Sequence, residues 1–127
     1  MNPVHDAHLC RLSIWDTERQ IAGPPHALRA LATHLRTGTA PIAITGGTID
    51  QQITDGPLLI RAHGTDHLRV SGHPDHLRLL WDALTGTADD ADTTPPAGVN
   101  RHTHIEYYGD PWTSPDTEPL AVVADWP

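Results

Sequence analysis

At 127 residues the chain is long enough to bury one core without staples, and its single cysteine, Cys10, leaves no internal disulfide to form. Sixteen acids against eight arginines, with no lysine, give a formal net charge of -8, which opposes phosphate backbones and argues against a nucleic-acid partner. No apolar run of about 18 residues and no charged-apolar-small leader pattern occurs, so neither membrane insertion nor export is expected and a cytoplasmic location is.

The first predicted element is a strand, in which Leu9, Arg11, Ser13 and Trp15 alternate with Cys10, Leu12 and Ile14. Cys10 falls inside that pattern and reads as a small buried apolar residue rather than a nucleophile. A helix follows, because Leu28, Leu31, Ala32 and Leu35 repeat at i, i+3, i+4, i+7. Pro25 is tolerated in its first turn, and Gly38 marks its end. Two short apolar runs, Pro41 to Thr45 and Pro57 to Arg61, flank the turn at Gly46-Gly47. The tight turn over His63-Gly64-Thr65-Asp66 predicts that the run from Pro57 pairs as a hairpin with the alternating segment from Asp66.

That hairpin leads into a second helix with its stripe at Leu77, Leu80, Trp81 and Leu84, Pro74 in the first turn and Gly86 at the end. The two helix starts echo one another: residues 23–35 align without gaps on residues 72–84, matching at Gly, Pro, Leu-Arg, Leu and Leu. Residues 86–98 are poor in apolar side chains and rich in breakers, which predicts a flexible loop. Asn100 to Tyr108 and Pro119 to Ala124 then read as strands, with irregular backbone between them. The sum is a single α+β domain over residues 1–127, in two layers: a mainly antiparallel sheet of about six strands with two helices packed on one face.

Chemistry, if present, belongs to Arg101-His-Thr-His-Ile-Glu-Tyr-Tyr108, since a strand sends alternate side chains to one face. His102, His104 and Glu106 could there form a facial triad for a divalent transition metal, with His63 or His67 as a further ligand, or serve acid and base chemistry. Same-face positions roughly 6.5 to 7 Å apart close poorly on one ion, which favours a plain hydrogen-bonded row. Phosphate-loop, dinucleotide and zinc-ribbon patterns do not occur. Tyr108 and Trp112 stand among Asp110, Asp116 and Glu118, and aromatic anchors ringed by acids suit a basic protein surface.

The tail His102-Thr-His-Ile-Glu-Tyr-Tyr108, followed after a proline-bearing loop by Pro115-Asp-Thr-Glu-Pro-Leu-Ala-Val-Val123, resembles the ending of the immunity protein 32 family of actinobacteria. The upstream strand, turn and helix start, Leu68 to Leu80, is also similar, so the resemblance covers roughly the second half of the chain. It departs at Trp112-Thr113, where an aliphatic residue is expected. The resemblance implies an immunity protein that neutralises a cognate toxin by direct binding, without cofactor or turnover. The expected contacts are Tyr108, Asp110, Trp112, Asp116 and Glu118, and the expected partner has a basic surface. A metal-dependent enzyme or ligand-binding protein using His102, His104 and Glu106 is the alternative, and an exposed sheet edge would permit a homodimer under either.

Overall fold

The computed structural model describes residues 6–38, 41–93 and 102–124. After a 3-10 turn at Ala7–Leu9 come β1 (Arg11–Ile14), β2 (Arg19–Gly23), α1 (Pro25–Arg36), β3 (Ile42–Ile44), β4 (Gly47–Ile53), β5 (Leu59–Ala62), β6 (His67–Gly72), α2 (Pro74–Thr93), β7 (His102–Ile105) and β8 (Leu120–Ala124). The α+β class is as expected. The single sheet is not: the strands form two four-stranded mixed sheets, ordered β1-β2-β8-β7 and β3-β4-β6-β5, and the helices do not share one face of a common sheet.

Two strands were hidden in the sequence for physical reasons. β2 (Arg-Gln-Ile-Ala-Gly) buries three consecutive residues, Ile21, Ala22 and Gly23, two of them small, so no alternation shows in the sequence. β4 carries a polar residue toward the interior, which breaks the apolar alternation: the Gln51 amide donates to the Leu35 carbonyl at 2.8 Å and accepts from Trp81 Nε1 at 3.0 Å. An inward glutamine is tolerated because both ends of its amide are satisfied. The predicted hairpin of β5 with β6 is present and antiparallel.

The sequence echo is matched by a repeated chain path. Strand, strand, helix, strand, strand occurs twice, and the central pairings are exchanged between the halves: β4 of the first pairs parallel with β6 of the second, while β8 of the second pairs parallel with β2 of the first. The opening hairpins even share their register, Leu12 opposite Ile21 in one and Ile60 opposite Val70 in the other. Gly23 and Gly72 end β2 and β6 at equivalent points. A Cβ on Gly23 would lie 3.2 Å from the Cys10 backbone, and one on Gly72 3.2 Å from that of Leu58. Single parallel bridges, Arg11 to Thr45 and Leu58 to Thr113, join the two sheets at two corners.

The core lies between sheets and helices. Leu28, Leu31 and Leu35 from α1 meet Leu77, Leu80 and Leu84 from α2, with Ile21, Ile49, Ile60, Leu68 and Leu120 from the strands, all fully buried. Arg36 pairs with Asp82 at 2.9 Å and Arg29 with Asp89 at 2.8 Å. Seven residues forward on α1 thus correspond to seven residues back on α2, so the helices run antiparallel. These exposed pairs contribute at most about 1 kcal/mol each.

The predicted loop over residues 86–98 is corrected in its first part. α2 continues through Gly86 to Thr93, because Leu84, Thr87, Ala88 and Ala91 extend the inward stripe at i, i+3, i+4, i+7 and are buried. Small and hydroxylated residues hid that stripe. Residues 94–98 lie outside those described, as do Asn100 and Arg101 at the start of the predicted strand.

Candidate functional site

The segment between β7 and β8 is irregular, as its prolines predict, yet it is firmly held. Leu58 N–H donates to the Trp112 carbonyl at 2.8 Å, Ser114 N–H to the Leu58 carbonyl at 2.7 Å, and Glu118 N–H to the Ile60 carbonyl at 2.8 Å. The buried Thr117 hydroxyl adds a 3.0 Å bond to the Leu58 carbonyl. The segment therefore covers the free edge of β5, satisfying backbone groups that would otherwise template association. Its acid at the far end is spent internally: Glu118 accepts the Ala62 N–H at 2.7 Å and lies 3.2 Å from Arg19 Nε.

Above this anchor the aromatic side chains stand outward. Trp112 is 47% exposed and Tyr108 72%, and Leu79 on α2 is 38% exposed beside them. Together they line a groove of about 360 Å³ between α2 and the segment after β7, with Asp82, Glu106 and Asp110 at its rim. A neighbouring hollow of about 260 Å³, lined by Asp75, His76, Leu79 and Trp112, shares the last two residues with it. Leu79 exposes its side chain because the inward stripe of α2 passes through Leu77, Leu80 and Trp81 instead.

Charge around the groove is predominantly negative. Asp82 is partly neutralised by Arg36, whereas the buried Oδ1 of Asp110 has no hydrogen-bond partner among the described residues. Glu106 accepts a hydrogen bond from the Tyr108 hydroxyl, and that bond, with the nearby negative charge, holds the phenol above its ordinary pKa of 10.0.

Of the predicted contacts, Tyr108, Asp110 and Trp112 share the groove. Asp116 is exposed on the turn beyond it, and Glu118 is turned toward β2 and β5. Sequence reading missed the opposite wall, Asp75, Leu79 and Asp82, because a helix presents its outer face only once its inner face is assigned.

The histidine row is shorter than expected. β7 ends at Ile105, whose side chain is buried, and Thr103 turns inward to share a 2.6 Å hydrogen bond with Thr87 of α2. His102 and His104 face outward with ring centroids 4.9 Å apart. The strand stops at Ile105, short of the Tyr108 expected, yet His104, Glu106 and Tyr108 still line the same groove, and Tyr107 is exposed rather than turned toward the helices. Among the described residues no group of three or more His, Cys, Asp or Glu side chains is placed to hold a metal ion. None of the described helices is long and apolar enough to cross a membrane.

The spacing from the paired histidines through the acid and tyrosines to the Pro-Leu strand is thus built into β7, the groove wall and β8. Residues 67–127 match the family model of Immunity protein 32. The resemblance of the second half of the chain to that family is borne out by the match. The matched segment begins at β6 and takes in α2, β7, the groove segment and β8, so both walls of the groove fall inside it. No curated protein and no solved structure gives a significant match to the chain.

Proposed function

We propose that this protein neutralises a partner toxin by direct one-to-one binding, with the groove between α2 and residues 106–112 as the contact surface. The observation that carries this reading is Trp112: its backbone is pinned to β5 at 2.8 Å while its indole stays half exposed beside Leu79 and Tyr108. A large apolar side chain on a fixed backbone binds with little loss of conformational freedom. The family match supports a toxin as the partner, and the rim of Asp75, Asp82, Glu106 and Asp110 favours one with a basic surface. An acidic surface on a chain of net charge -8 would accelerate encounter with such a partner and compete with any anionic substrate.

The test is co-expression with the products of the adjacent genes, followed by affinity measurement on any complex. Replacing Trp112 by alanine is expected to weaken the complex about thirtyfold, the roughly 2 kcal/mol of an interface hot spot, and association should slow as salt rises. Absence of any complex, or of any rescue of growth, from every adjacent product would remove the proposal. Elemental analysis of untagged protein addresses the metal alternative: stoichiometric metal that disappears in His104→Ala would favour it instead.

A further inference from the structure

The outer face of the second sheet carries a second hollow, of about 290 Å³, lined by Gln52, Leu59, Arg61, His63, Arg69 and Ser71. Arg61 and Arg69 lie directly opposite each other on antiparallel strands β5 and β6. Like charges in that relation repel and weaken the sheet. The repeated chain path supplies an internal control, for the corresponding pair in the first sheet is Ser13 opposite Gln20. The fold itself therefore does not demand two guanidinium groups there.

Compensation among the described residues is slight. Asp50, next to Arg69 across β4, approaches its Nε only to 3.8 Å, whereas Arg19, Arg29 and Arg36 lie 3.2 Å or less from their carboxylates. Both Arg61 and Arg69 are exposed, so neither has been drawn into the core. The hollow thus gathers two planar five-donor groups, an imidazole, a hydroxyl and an amide in a chain whose net charge is negative. At ordinary ionic strength distant acids are screened beyond about 8 Å, so the local pair decides what binds.

We propose that this hollow is a binding site for a phosphate monoester. A tetrahedral dianion offers three terminal oxygens and two charges to the guanidinium pair, where a carboxylate offers two oxygens and one charge. The volume leaves room for an organic substituent, with Leu59 as an apolar wall. The site lies on a different sheet from the groove and does not depend on toxin binding.

Calorimetric titration of inorganic phosphate, and in parallel glycerol phosphate, into the full chain tests this. Saturable one-to-one binding is expected, tightest for the ester, and weakened at least about tenfold by Arg61→Gln or Arg69→Gln. Arg29→Gln, which removes an exposed arginine already paired with Asp89, should leave it unchanged. Without ligand, Arg61→Gln should melt no lower than the parent, because it removes a repelling neighbour. Lack of saturable binding, equal binding in the two sheet variants and the parent, or a lower melting temperature for ligand-free Arg61→Gln would overturn the proposal.

Discussion

Tyr108 shows how one residue's position sets its chemistry. Its hydroxyl donates to Glu106, so ionising it would place two negative charges together, and the phenol is held above 10.0. The native state then keeps this proton at a pH where the unfolded chain has lost it. Stability from the bond is full below pH 10 and declines as pH rises through the folded value. In a Tyr107→Phe background, ultraviolet titration should place the remaining phenol above the ordinary value, and adding Glu106→Gln should bring it down. A midpoint unmoved by that second change would show that the bond is not populated. The identity of the groove residues was legible at this scale, since Tyr108, Asp110 and Trp112 stood out as aromatics among acids. The inward turn of Glu118 was not, because its partners Arg19 and Ala62 are distant in sequence.

Among the elements, the β3–β4 hairpin is held by close backbone approaches at its turn. Ile44 pairs with Gly47 across Thr45-Gly46, and a Cβ on Gly47 would sit 2.3 Å from the Asp66 carbonyl oxygen. That oxygen also accepts Thr48 N–H at 2.9 Å, where β4 meets β6. Gly47→Ala is therefore expected to destabilise the protein by about 1–3 kcal/mol. Gly64→Ala, at φ 74° with open space around it, should cost only the roughly 1 kcal/mol of a left-handed residue. Urea unfolding of both variants checks the order, and equal losses would mean the hairpin relaxes freely. The glycines were visible in the sequence as a turn, but the carbonyl that crowds Gly47 belongs to a turn nineteen residues away. Helix α2 teaches the same lesson: its last two turns bury Ala88 and Ala91, residues that pattern reading passes over because they are small and stand among aspartates.

For the molecule as a whole, the exchange of central strands makes the two halves interdependent. β2 lacks its inner neighbour without β8, and β6 lacks its own without β4. Peptides cut in the exposed turn at Asp55 should each be largely unstructured and should recover the native circular dichroism when mixed. A half that folds cooperatively by itself would contradict the exchange. The segment that matches the family model, residues 67–127, is subject to the same condition, because strands that its sheets need lie upstream of it.

Local pattern was enough to establish the α+β class, the two amphipathic helices, the β5–β6 hairpin, the acidic balance and the likeness of the second half to Immunity protein 32. Each of these rests on patterns spanning a few neighbouring residues, where periodicity and turn chemistry act directly. That there are two sheets rather than one, that β4 carries an inward glutamine, that the tail segment closes the β5 edge, and that α2 supplies the second wall of the groove emerged only from the folded chain. Those outcomes depend on pairings between distant strands, and a polar side chain or a bare backbone edge gives no sign in the sequence of which distant group will satisfy it.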